Sequence, residues 1–84
     1  MSEDLNKVKM LVRNKIIELA RENKIDAHDL KNDDTIPEKG YLDSGAIIEL
    51  IVWYEQQFNL EINDGEITID NFGSVNAMAD YIFK

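Results

Sequence analysis

The 84-residue sequence has no cysteine, which excludes a disulfide framework and any thiolate zinc site. It has one histidine, His28, in the polar run Asp26-Ala27-His28-Asp29. With no partner imidazole, His28 reads as a solvated loop residue rather than a ligand or base. Basic residues are scarce, nine against seventeen acidic, for a formal charge of −8. That balance argues against nucleic-acid binding and against an anionic membrane surface, both of which need a basic footprint. It would instead steer partners with basic patches toward the protein. No apolar run has the length of a membrane span. The opening Met1-Ser2-Glu3-Asp4 is acidic and unlike a signal peptide, so a cytoplasmic protein is expected.

With one proline and four glycines, the chain also has few helix breakers, and no strand-like alternation of useful length appears. Residues 1–84 are expected to form one domain, a monomer with a modest core. Leu5, Val8, Val12, Ile16 and Leu19 recur at steps of three and four, which predicts a first helix with one buried stripe. Ser2 can cap it, and Asn23 and Lys24 mark its end. Lys7, Lys9, Arg13 and Glu18 lie off the stripe. A long polar loop follows, to about Asp43, with Ile25, Leu30, Ile36 and Leu42 placed to pin it to the core.

The second helix is predicted from about Ser44 to Phe58. Ile47, Leu50, Ile51, Tyr54 and Phe58 form its core stripe, yet Ile48, Val52 and Trp53 on the other side are apolar too. A helix apolar nearly all round is either fully buried or an interaction surface, and full burial is difficult in a domain of this size. Thr68 to Gly73 reads as one helical turn with Thr68 as cap and Gly73 as stop. Ser74 then caps a last helix with Val75, Met78, Ala79 and Ile82 on one face. The expected fold is all-α, a small antiparallel four-helix bundle with a long first loop and a very short third helix.

The chemistry-bearing segment is Gly40-Tyr41-Leu42-Asp43-Ser44-Gly45. Gly40 permits a tight turn that delivers an Asp-Ser pair to the start of the second helix. Both residue types cap helices, and a helix start also favours a phosphate through its free N–H groups and dipole. Ser44 has no base to activate it as a nucleophile, so carrying a group suits it better than catalysis. Asn63-Asp64-Gly65-Glu66-Ile67 resembles the latter half of an EF-hand loop. With Gly65 at loop position six, however, Leu60, Ile62 and Asn71 would stand where calcium needs oxygen ligands and a bidentate carboxylate, so a turn is expected. Glu49 and Glu55, six apart, share no helical face for a catalytic pair.

Taken in order, Gly40-x-Leu42-Asp43-Ser44, the helix ending Tyr54-Glu55-Gln56-Gln57-Phe58, Leu60-x-Ile62, Asn71-Phe72-Gly73-Ser74-Val75 and Ala79-Asp80-Tyr81-Ile82 resemble the acyl carrier protein family, with its peptidyl and D-alanyl carriers. The resemblance covers nearly the whole chain. It implies 4′-phosphopantetheine on Ser44, attached from coenzyme A by a magnesium-dependent phosphopantetheinyl transferase, with Asp43 as the family's acidic residue before the serine. An acyl or aminoacyl thioester would ride on that arm, loaded by a ligase and passed to downstream enzymes; the protein itself would not be an enzyme. The second helix would be the recognition element, and Gly45, Ile48, Glu49, Val52, Trp53 and Glu55 are its candidate contacts. Two departures stand out. Gly45 replaces the usual apolar residue after the serine, and the helix is less acidic than in fatty-acid carriers. Both suggest a stand-alone carrier of a specialised pathway that uses more apolar contact. The alternative is an acidic helical adaptor in which Ser44 is only a cap.

Overall fold

The computed structural model describes residues 2–83, without the side chains of Ser2, Glu3 and Pro37; the cap expected at Ser2 therefore lies outside the described residues. The described chain is all-helical, with no strand. Helix α1 spans Ser2–Glu22, α2 Ile36–Lys39, α3 Ser44–Phe58, α4 Ile69–Phe72 and α5 Val75–Ile82, with a 3-10 turn at Asp64–Glu66. The four expected helices are α1, α3, α4 and α5. The extra one, α2, is a single turn inside the long loop.

The core follows the apolar periodicity. Val8, Val12, Ile16 and Leu19 of α1 are buried, with Ala20 beside them, against Leu50 and Tyr54 of α3 and Val75, Met78 and Ala79 of α5. Helix α1 packs on both α3 and α5, and α5 on α4. Both long helices stop in the same way. Lys24 (φ 63°) and Asn59 (φ 53°) turn left-handed, and the N–H groups of Ile25 and Leu60 return to the carbonyls of Ala20 and Glu55 (both 2.9 Å), the bonding of a Schellman-type end.

The loop is fastened rather than loose. Leu30, Ile36 and Leu42 are buried and Ile25 is half-buried, as their apolar character predicts, and Ala27 joins them. Arg13, off the α1 stripe as expected, donates to the carbonyls of Leu30 (3.1 Å) and His28 (3.0 Å). At its far end the loop is tied to the α4–α5 corner, where Ile36 N–H donates to the Gly73 carbonyl (2.7 Å) and Asn76 N–H to that of Asn32 (2.9 Å). Gly73 is needed there for space. A Cβ on it would lie 2.4 Å from the Ile69 carbonyl oxygen.

Aromatic contacts close the other side. Tyr54 meets Phe58 and Phe72 edge to face at centroid distances of 5.2 and 5.4 Å. Its buried hydroxyl donates to the Met78 carbonyl (2.8 Å), joining α3 to α5. Burial pushes the Tyr54 phenol far above its usual value, so it stays protonated as that donor.

Candidate functional site

The segment leading into α3 is built by three anchors. Gly40 ends α2 in the left-handed region (φ 71°), which glycine adopts without cost. The Tyr41 hydroxyl donates to the Asp29 carboxylate across the loop (2.8 Å). That bond holds the Asp29 carboxyl below its usual value and the Tyr41 phenol above. Leu42 is buried. The chain is thus held just before α3, with Asp43 left to cap the helix and Ser44 to begin it.

Capping falls to Asp43 and not to Ser44. The Asp43 carboxylate accepts from Ala46 N–H (2.8 Å) and its carbonyl from Ile47 N–H (2.9 Å). Ser44 is the first residue of α3 and is exposed. A serine that serves only as a cap would stand one position earlier. Here the aspartate does that work and the hydroxyl faces water. The helix ladder leaves the first N–H groups of α3 without intrahelical partners, and no acidic residue lies in its first turn. A phosphodiester at Ser44 would meet the positive end of the helix dipole, with the Asp43 carboxylate beside it at the cap and no further acidic residue in the first turn. These residues fit an attached phosphate.

Beside Ser44 lies a polar surface cleft of about 380 Å³ between the end of α1 and the start of α3, lined by Glu22, Asn23, Asp43, Gly45 and Glu49 among others. Gly45 is exposed, and a Cβ there would meet only the Asp43 carboxylate at 3.6 Å, an ordinary contact. The backbone therefore has no need of glycine at this position.

The remaining candidates separate by face. Ile48 and Val52 are 63 and 46 % exposed. They border a shallow depression of about 380 Å³ with Lys15, Glu49, Trp53 and Gln56. Glu49 is exposed. Trp53 is only half-buried, with its ring edge-on to Phe58 at 6.0 Å, so it belongs partly to the core. Glu55 is half-buried as well, and its carboxylate accepts from Ile62 N–H (3.0 Å), fixing the chain after α3. Periodicity cannot reveal a bond of that kind, because the partner is a backbone group seven residues away.

His28 is exposed, beside Asp26 at 2.9 Å. The former EF-hand candidate is the 3-10 turn at Asp64–Glu66. Its Glu66 carboxylate accepts from the Tyr81 hydroxyl, and its Glu66 carbonyl from the Asn71 side chain. Among the described residues, no group of three or more His, Asp or Glu side chains is placed to hold a metal. No described helix is long and apolar enough to cross a membrane.

No curated protein matches the sequence significantly. Residues 14–82 match the sequence model of the family described as phosphopantetheine attachment site. That family is a carrier family rather than a catalytic one, and the group its members bear is 4′-phosphopantetheine, attached covalently. The match spans the last part of α1, the loop, the Asp43-Ser44 turn and all that follows, so this chain belongs to the phosphopantetheine-attachment family, that of the acyl carrier proteins.

Proposed function

We propose that residues 1–84 form one carrier domain in which Ser44 is the attachment point. The observation that carries this reading is the division of labour at the start of α3: Asp43 caps the helix, and Ser44 stands exposed on its first turn. Modification would join the Ser44 oxygen to the phosphate of coenzyme A's pantetheine half, with loss of the hydroxyl proton and departure of adenosine 3′,5′-bisphosphate. The group then supplies a thiol that holds an acyl or aminoacyl cargo as a thioester. Asp43 keeps the turn in place, and the amide-rich helix start accommodates the phosphate. Ile48 and Val52, with Gly45 and Glu49 beside them, offer partner enzymes a weakly charged, apolar surface. That surface suits the transferase, a loading ligase and downstream enzymes of a specialised pathway better than those of fatty-acid synthesis.

The test is intact-mass measurement after incubation with coenzyme A, magnesium and a broad-specificity phosphopantetheinyl transferase. One phosphopantetheine should be added to the protein and none to Ser44→Ala. Modification of the alanine variant would move the site elsewhere, and no modification by several transferases would sink the proposal.

A further inference from the structure

The protein is acidic overall, but its charge is not spread evenly. Residues 6–24 hold six of the nine basic residues and two of the seventeen acidic ones. On the edge of α1 that faces the loop, Lys9, Arg13, Arg21 and Lys24 line two consecutive surface clefts. One, of about 300 Å³, includes Lys9, Met10, Arg13 and Asn32. The other, of about 220 Å³, includes Ile17, Arg21, Lys24 and Ile25 together with Asp26 and His28 of the loop. Met10 is 63 % exposed between the basic groups, and Ile17 is half-buried.

The loop opposite offsets this edge only at Asp26, which lines the second cleft and lies in the field of Arg21 without pairing to it. Asp26 accepts from His28 N–H (3.0 Å) and lies against its ring, Asp29 holds Tyr41, and Asp34 accepts from Lys31 N–H (2.9 Å). Among the described residues, none of Lys9, Arg13, Arg21 and Lys24 lies within 4 Å of a carboxylate. Arg13 is committed to the loop carbonyls, which leaves Lys9, Arg21 and Lys24 as the cations available to a partner. The α3 candidates lie on a different side of α1, where Lys15 borders Ile48 and Val52.

We propose that this loop-facing edge of α1 is a second docking surface, and that its occupant is an extended acidic segment of a partner protein. Lys9 and Arg21 are twelve positions apart, about 18 Å along a helix. An extended chain covers that length in about six residues. The complementary segment carries carboxylates at both ends and apolar side chains between them, to meet Met10 and Ile17. A nucleic acid or anionic membrane presents charge over a wider area. In a molecule 20 Å across its short axis, such a surface would come within about a Debye length, ~8 Å, of the acidic remainder of the chain. A narrow acidic segment meets less of that repulsion. The surface is independent of Ser44, so a carrier engaged through α3 could be held by a second protein through α1.

The test uses the unmodified protein and a fluorescein-labelled eight-residue peptide with two glutamates at each end and leucines between. Binding is read by anisotropy and by amide chemical shifts. The proposal expects shifts confined to residues 6–32 and binding that weakens as salt rises. It expects Arg21→Glu/Lys24→Glu to lose affinity about tenfold or more through like-charge contact. Both residues are exposed, and Arg21→Gln/Lys24→Gln serves as a milder second variant should the reversal disturb the helix. Val52→Glu should bind as the parent does. Absence of binding, shifts centred on α3, equal binding of a peptide with lysines for glutamates, or indifference to both double variants would overturn the proposal. So would tighter binding of a thymidine octanucleotide or phosphatidylserine vesicles through the same residues.

Discussion

Along α3, Ala46, Leu50 and Tyr54 turn into the protein while Ile48 and Val52 turn to water, although the sequence makes both sides apolar. On the inner side, Ala46, Leu50 and Tyr54 belong to one core cluster with residues of α1 and α5, and the Tyr54 hydroxyl has a fixed acceptor. On the outer side, Ile48 and Val52 contribute little to folding because water still reaches them. Apolar residues that do no packing favour association, which selection usually removes from a surface. Their presence on the helix that starts with Ser44 fits a surface that partners meet. The inner face thus carries stability, while the outer one stays open to water and available for the recognition proposed above.

The largest effect should come from the inner face. Leu50→Ala removes a side chain that is 2 % exposed and should cost about 2–5 kcal/mol, by the transfer and cavity terms together. Urea unfolding monitored by circular dichroism measures it. A loss below about 1 kcal/mol, the range of surface substitutions, would erase the distinction between the faces. Trp53→Ala probes the seam. The ring lies against Phe58 and is half-buried, so a loss of about 1–3 kcal/mol is expected, less than a full aromatic truncation in a core. Stability unchanged in Trp53→Ala would return this residue to the outer face, where its sequence grouping with Ile48 and Val52 put it.

That grouping shows what the sequence could and could not convey. Periodicity reports the angle of a residue around its helix, and it placed the α1 stripe, the α5 face and the bounds of α3 well. Cap chemistry placed Thr68 and Ser74, whose hydroxyls accept from Asn71 and Ala77 N–H. A four-residue helix such as α2 has no period to read. The bonds of Arg13 and Glu55 leave no mark in the periodicity, because their partners are backbone groups of other segments. Nor could the Asp-Ser pair reveal which of its members caps α3. Both residue types cap helices, and it is the bond from Ala46 N–H to the Asp43 carboxylate that identifies the cap.

The smallest effect on stability should be the most telling about recognition. Val52→Glu places a carboxylate on the outer face, three positions after Glu49 and beside Lys15. Repulsion from Glu49, attraction to Lys15 and the better helix propensity of glutamate are each worth a few tenths of a kcal/mol and partly cancel. The unfolding free energy should therefore stay within about 0.5 kcal/mol of the parent. Transferase efficiency toward Ser44, measured as kcat/KM with coenzyme A saturating, should instead fall about tenfold, because an apolar contact becomes a desolvated charge. Unchanged efficiency would show that the transferase reads only the Asp43-Ser44 turn. Loss of stability comparable to that of Leu50→Ala would show that Val52 belongs to the core.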